Sequence, residues 1–362
     1  MTRRTQTRRV KVRDICIGGG ATVSVQSMTN TPTADAERTL AQIRALETTG
    51  CEIIRFAVPD AEAAAAIGKI RLGTNLPLVA DIHFDHRLAI AAMENGVDKI
   101  RINPGNIGSQ EKVRNLVACA KHHGIPIRIG VNAGSLPRPI LAQYGGPTAE
   151  GLVCAAMEHV ALLEANGFYD IIVSLKASSV SMTVDAYSQM AERVAYPLHL
   201  GVTEAGHAQA GLVKSAMGIG ALLLKGVGDT IRVSLTGDPL QEVSAGREIL
   251  AAAGLRRFGP EIISCPTCGR CGYDLESAVI QVKEKLSGVS LPIRVAIMGC
   301  VVNGPGEAVE ADIGLAGGKD RGALFKHGKL ERTLPMNELI DALVEEILSW
   351  PQAPSERDRE TN

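Results

Sequence analysis

The sequence predicts a (β/α)8 TIM barrel followed by a small α+β domain, and three observations carry that expectation. Short β-branched runs alternate eight times with helix-length amphipathic segments between Thr22 and Leu255. Most of these runs are continuously apolar, as expected for parallel strands buried on both faces. After Leu255 the rhythm breaks at Arg256-Arg257-Phe258-Gly259-Pro260, and a different order of elements follows.

In chain order the strand candidates are 23–27, 53–58, 77–82, 99–103, 126–131, 170–175, 198–202 and 230–235. The helix candidates between and after them are 35–49, 60–72, 86–95, 109–123, 148–166, 180–194, 210–225 and 239–253. Asp35 and Asp60 put negative charge at helix starts, where the backbone dipole favours it. Ser109 is a candidate N-cap, and Gly96, Gly124 and Gly167 stand where helices stop. Pro239 suits a first turn, where its missing N–H costs nothing. Eight units in roughly 230 residues is the size of a closed barrel. An open doubly wound sheet is the alternative, disfavoured by the lack of a long crossover. Beyond the barrel come a strand at 261–263, a cysteine loop, a helix at 275–286, a strand at 293–298 and a second cysteine loop. Strands near 311–315 and 323–326 and a helix at 337–348 complete it. The expected division is a substrate-binding barrel at 1–256, a metal-centre domain at 257–350 and a disordered tail at 351–362.

Composition narrows the function classes. With 45% hydrophobic residues, 21% charged residues and a net charge of −1, bulk electrostatics gives no reason to expect a nucleic-acid or membrane-surface partner. Residues 1–13 are basic but lead to no apolar signal core, so they read as a solvated arm or edge strand. No apolar run approaches the ~20 residues that cross a bilayer. A cytoplasmic protein is expected, in which clustered cysteines bind metal rather than form disulfides. Cys16, Cys51, Cys119 and Cys154 are scattered and read as plain buried thiols. Gly18-Gly19-Gly20 reads as a turn, and 133–147 as a surface connection or a lid.

Barrel chemistry belongs where strands end and the following loops begin. Those positions hold Arg55, then Asp81 and His83, then Arg101 and Asn103, then Arg128 and Asn132. Lys176, Thr203 with Glu204, and Arg232 with Ser234 complete the circuit. A charge in a buried strand is costly unless it is paired or meets a ligand. Five cations (Arg55, Arg101, Arg128, Lys176, Arg232) oppose two acids (Asp81, Glu204). That surplus predicts a strongly anionic small molecule, and several Arg forks together suit a diphosphate.

The second domain concentrates soft ligands: Cys265-Pro-Thr-Cys268-Gly-Arg-Cys271, then Cys300, then Asn303-Gly-Pro-Gly-Glu307. Zinc ribbons usually present two CxxC knuckles, whereas the second loop here has one cysteine and no nearby histidine. The triplet has the CxxCxxC spacing of bacterial ferredoxins without their fourth Cys-Pro. Spacing favours an iron–sulfur cluster and leaves zinc open, in which case the protein would be a zinc-stabilised phosphate-binding barrel without redox activity. Glu307 is either an ordinary turn residue or an oxygen ligand, harder and more displaceable than a thiolate.

Six motifs extend the reading beyond spacing: Val-Gln-Ser-Met-Thr-Asn-Thr from Val25, Ile-Arg-Ile-Asn-Pro-Gly-Asn-Ile-Gly from Ile100, Arg-Ile-Gly-Val-Asn-Ala-Gly-Ser-Leu from Arg128, Leu-Gly-Val-Thr-Glu-Ala-Gly from Leu200, Cys-Pro-Thr-Cys-Gly-Arg from Cys265, and Met-Gly-Cys-Val-Val-Asn-Gly-Pro-Gly-Glu from Met298. In this order they resemble the bacterial 4-hydroxy-3-methylbut-2-enyl diphosphate synthase family (IspG/GcpE), iron–sulfur oxidoreductases of the non-mevalonate isoprenoid pathway. The resemblance implies a [4Fe–4S] cluster on Cys265, Cys268, Cys300 and Glu307, with Cys271 a bystander. It implies reductive ring opening of 2-C-methyl-D-erythritol 2,4-cyclodiphosphate, with electrons from reduced flavodoxin or ferredoxin. Arg55, Arg101, Arg128, Lys176 and Arg232, helped by Asn103, Asn132 and Ser234, would hold the diphosphate. Asp81, His83 and Glu204 are unranked candidates for moving protons. Chain geometry adds a partner. The last barrel helix, about 24 Å long, carries the chain away from the mouth, and the few linker residues after Leu255 span at most about 20–25 Å. A head-to-tail homodimer, each metal domain serving the other subunit's barrel, resolves this.

Overall fold

The computed structural model describes residues 3–103, 107–300 and 310–351. The chain divides into two compact units, 1–256 and 257–362.

The first unit begins with a 3-10 turn, Arg3–Gln6, and an antiparallel hairpin, β1 (Val10–Val12) with β2 (Ile15–Ile17). Eight parallel strands follow: β3 (Ser24–Met28), β4 (Ile53–Ala57), β5 (Leu78–Asp81), β6 (Lys99–Ile102), β7 (Ile127–Asn132), β8 (Ile171–Lys176), β9 (His199–Leu200) and β10 (Thr230–Ile231). Their hydrogen-bonded order is β8-β7-β6-β5-β4-β3-β10-β9, and a parallel bridge from Val173 to Leu198, just before β9, closes the ring. This is a TIM barrel, as the alternation predicts. The helices are α1 (Ala36–Thr48), α2 (Ala61–Leu72), α3 (His86–Glu94), α4 (Gln110–His123), α5 (Arg138–Tyr144), α6 (Ala149–Ala165), α7 (Val180–Arg193), α8 (Ala208–Leu224) and α9 (Pro239–Ala252).

Local chemistry explains most boundaries. Asp35, Asp60 and Thr148 each accept a first-turn backbone N–H, and Gly124 ends α4 at φ +64°, where a Cβ would be strained. Ser109 sits at the N-cap of α4 but its hydroxyl makes no cap bond. The stretch 133–147, expected as a loop, contains a 3-10 turn (Ala133–Ser135) and α5, which buries Ile140. Of the four scattered cysteines Cys51 is buried, whereas Cys16, Cys119 and Cys154 are half-buried, which corrects the expectation of uniformly buried thiols.

The N-terminal segment is structural rather than solvated. Val10, Val12 and Ile17 are buried against Ile53, Val79 and Ile172. Those three residues share strand parity with Arg55, Asp81 and Lys176, so they point into the lumen. The hairpin is therefore an apolar stopper at the end of the barrel where the strands begin.

The second unit is a five-stranded sheet in the order β11 (Glu261–Ser264), β12 (Arg294–Met298), β13 (Ile313–Ala316), β14 (Arg321–Lys326) and β15 (Lys329–Pro335). The first three strands are parallel and the last two antiparallel. Helices α10 (Leu275–Lys285) and α11 (Met336–Leu348) contribute Leu275, Val282, Leu339 and Leu343 to a core shared with Val295, Ile297 and Leu315. Strand β15 is absent from the sequence reading. Its residues Lys329 to Thr333 are all exposed, so no buried face marks it, and its charges suit a sheet edge. The expected tail falls almost wholly outside the described residues.

Candidate active site

The lumen of this barrel departs from the usual layers of branched apolar residues. Parity sends Arg55, Asp81, Arg101, Arg128, Asn132, Ser174, Lys176 and Arg232 inward, and they line a cavity of about 140 Å³ with His83, Thr203 and Ser234. Ten of the sequence-predicted residues thus share one cavity. Asn103 is buried, its Oδ1 without a hydrogen-bond partner among the described residues, and it is not among the lining residues. Glu204 is exposed, at φ +52°, and also lies off the lining.

Asp81 organises one side. Its Oδ1 accepts from Arg101 Nη1 at 3.0 Å, and its Oδ2 lies 3.8 Å from Arg55 Nε. Burial alone would raise its pKa; Arg55, Arg101, Arg128 and His83 outweigh that and hold it at about 2. Arg101 Nη1 also lies 2.9 Å from His83 Nε2. A guanidinium can only donate, so this nitrogen of His83 accepts and carries no proton. Burial, and the nearby Arg101 and Arg55, lower the His83 pKa against the pull of Asp81. Gly130 makes room for the arrangement, because a Cβ there would overlap the Arg101 guanidinium.

Arg232, on the other side, is held by an acid that sequence reading missed. Glu242 of α9 is 3% exposed, and its oxygens accept from Arg232 at 3.2–3.3 Å, from Ser27 Oγ at 3.1 Å and from the Leu235 N–H at 3.0 Å. A helix-borne carboxylate fully occupied by partners is a positioning device for the arginine. Its signal was a glutamate on the buried side of an otherwise amphipathic helix. Two more residues were missed, Lys99 and His199, both fully buried. Lys99 has the same parity as Arg101, and that was the available clue.

Arg128 and Lys176 make no ion pair among the described residues. Burial and neighbouring arginines push both well below their ordinary pKa range. With Arg55 and Arg101 sharing Asp81 and Glu242 assigned to Arg232, the cavity retains a cationic surplus that awaits an anion.

In the second unit, Ser264 of β11 pairs with Ile297 of the parallel strand β12. Both cysteine loops therefore leave the same end of the sheet. The Gly299 N–H donates to Cys265 Sγ at 3.2 Å, a bond that suits a thiolate in a cluster site. Cys271 lies against the same turn, where a Cβ on Gly299 would come within 2.6 Å of its Sγ, but its thiol donates to the Tyr273 carbonyl at 3.2 Å. Among the described residues no three His, Cys, Asp or Glu side chains gather closely enough to hold a metal ion. Glu307 lies outside the described residues. The donor set of soft thiolates with a backbone N–H on one sulfur fits an iron–sulfur group.

The profile of the GcpE TIM-barrel domain matches residues 7–247, and that of the GcpE C-terminal domain matches 261–349. A protein of Caldanaerobacter subterraneus, named 4-hydroxy-3-methylbut-2-en-1-yl diphosphate synthase (flavodoxin), is 56% identical over 95% of this chain and 97% of its own. A protein of the same name from Bacillus mycoides is 52% identical over 99% of both chains. Among solved structures, dihydropteroate synthase from Stenotrophomonas maltophilia aligns with 69% of this chain and all of its own, at TM-score 0.50 and 14% identity, which speaks to the barrel fold alone. No helix among the described residues is long and apolar enough to cross a membrane. With both domain profiles matched in order and near-complete coverage at this identity, the chain belongs to the GcpE family.

Proposed function

We propose that this protein is an oxidoreductase converting 2-C-methyl-D-erythritol 2,4-cyclodiphosphate to 4-hydroxy-3-methylbut-2-enyl diphosphate, with reduced flavodoxin as electron donor. The observation that carries the reading is the cavity, where among the described residues five cationic side chains face one carboxylate, Asp81. The flavodoxin-linked names of relatives 52–56% identical over nearly the whole chain supply the reaction class.

The net change is the addition of two electrons and two protons, cleavage of the ring C–O bond and loss of one water. Arg55, Arg101, Arg128, Lys176 and Arg232 grip the diphosphate, with Asn132 and Ser234 on the lining and Asn103 beside it. Their charge also stabilises the diphosphate as a leaving group on the opening ring. His83, its Nε2 bonded to Arg101, and Asp81, locked between arginines, orient the grip. Glu204, exposed and unpaired among the described residues, is best placed of the three acid–base candidates to exchange protons with solvent. Cys265, Cys268, Cys300 and Glu307 would hold the [4Fe–4S] cluster, which when bound supplies single electrons and a Lewis-acid iron. The head-to-tail homodimer is part of the same proposal, supported by α9 running back from the mouth to the end of the barrel where the strands begin.

Anaerobic purification followed by turnover with reduced flavodoxin tests the reading. A brown protein that consumes the cyclodiphosphate is expected. A colourless, zinc-containing protein, or a cluster-loaded one that leaves the cyclodiphosphate untouched, overturns it. Glu307→Ala is expected to keep a cluster and lose most turnover, and full activity in that variant removes Glu307 from the ligand set.

A further inference from the structure

Four neighbouring strands turn basic side chains into the lumen: Lys99 on β6, Arg128 on β7, Lys176 on β8 and His199 just past the closing bridge on β9. No acid among the described residues is available to them. Asp81 is engaged by Arg55 and Arg101, and Glu242 by Arg232. Lys99 Nζ and both ring nitrogens of His199 are buried without a hydrogen-bond partner among the described residues. Lys176 lines the cavity at 6% exposure, and its amine packs over Gly201, where a Cβ would come within 2.7 Å of Nζ. Facing it are Arg55, Arg128, Arg232 and Arg101, with Asp81 and His83 on the same lining and Lys99 and His199 deeper in the lumen.

Held this close together with one carboxylate among the described lining residues, these groups cannot all be charged in an empty cavity. Guanidinium groups do not shed protons in proteins, whereas an amine does. His83 Nε2 already accepts from Arg101, so protonating it would break a bond. Among the groups that touch the cavity, the Lys176 amine is where charge is relieved. We propose that Lys176 is an uncharged amine in the empty cavity and takes up a proton when a dianionic cyclic diphosphate binds, so that ligand capture and proton uptake are one event. Lys99 and His199, off the lining, stay neutral throughout. The inference rests on the diphosphate reading above.

The cyclodiphosphate itself makes a clean probe. Each of its phosphorus atoms bears a single strongly acidic hydroxyl, so the ligand has no titration of its own near neutrality, and a proton absorbed on binding belongs to the protein. Calorimetric titration of the cluster-loaded protein without reductant, in buffers of different ionisation enthalpy, counts that proton directly. Uptake of about one proton per ligand is expected, with affinity falling about tenfold per pH unit wherever that uptake is complete. Lys176→Arg, which carries a permanent charge, is expected to bind the same ligand without the uptake. Binding with no proton uptake in the unaltered protein, or undiminished uptake in Lys176→Arg, overturns the proposal. Absence of binding in the unaltered protein instead counts against the diphosphate reading. If Lys176→Arg fails to fold, the proton count of the unaltered protein decides alone.

Discussion

Glu242 shows how one residue outside the cavity can govern a residue inside it. Its carboxylate has no spare capacity, being shared among Arg232, Ser27 and the Leu235 N–H. Glu242→Gln keeps the shape and removes the counter-charge, leaving the Arg232 guanidinium half-buried and uncompensated. The expected cost is about 3 kcal/mol in denaturant unfolding. A roughly tenfold fall in kcat/KM should accompany it, rescued in part by Glu242→Asp. Asp229 offers a second residue-level test, far from the cavity. It accepts from the Leu198 N–H and from Thr7 Oγ1. Burial nevertheless raises its pKa from 3.8 to about 6. The folded state therefore binds this proton more tightly than the unfolded state does. Its contribution to stability is complete below the ordinary carboxylate pKa and is lost as pH rises through about 6. Asp229→Asn should raise Tm above that pH, by the equivalent of at most about 3 kcal/mol, and leave it unchanged near pH 4. Equal gains at both pH values would show that the ionised carboxylate is not the cause. At this scale the sequence was readable wherever a charge interrupted an apolar strand: Arg55, Asp81, Arg101, Arg128 and Lys176 announce themselves that way. Glu242 did not, because a glutamate in a surface helix is unremarkable until the helix is placed.

Elements were legible in proportion to how much apolar face they bury. The doubly buried strands β4, β5 and β8 are nearly unbroken apolar runs, and β6 and β7 place β-branched residues around their inward cations, so all five are legible to within one residue. The hairpin β1–β2 is legible only as a solvated arm or an edge strand, because its core residues, Val10, Val12 and Ile17, are separated by Lys11, Arg13 and Asp14 in a basic stretch. Ile17 is fully buried, and Ile17→Ala should cost about 3 kcal/mol by calorimetry or denaturant. The loop after β11 carries a distinction that spacing alone cannot make. Cys265 receives a backbone N–H, whereas Cys271 spends its thiol on the Tyr273 carbonyl. Cys271→Ser is accordingly expected to retain full iron content after anaerobic purification, and Cys265→Ser to lose it. Equal iron in the two variants would contradict this assignment.

On the scale of the molecule, the chain is two compact units joined at Arg256 and Arg257, one with a cationic well and one with two cysteine-bearing loops. If the units work across subunits, as the proposed dimer requires, mixing Arg128→Met protein with Cys265→Ser protein under subunit exchange should restore up to about one quarter of full activity, since half of the dimers are mixed and each has one intact pair. No recovery, with exchange demonstrated independently, would count against the shared arrangement. The stopper formed by β1 and β2 has a consequence for traffic. Because it blocks the far end, the lumen is a cul-de-sac: solvent, ligand and protons share one doorway, and whatever fills that doorway isolates Lys99 and His199 behind it. Their exchange with bulk water should slow when the doorway is filled and recover when it clears, which makes these two silent residues natural reporters of occupancy.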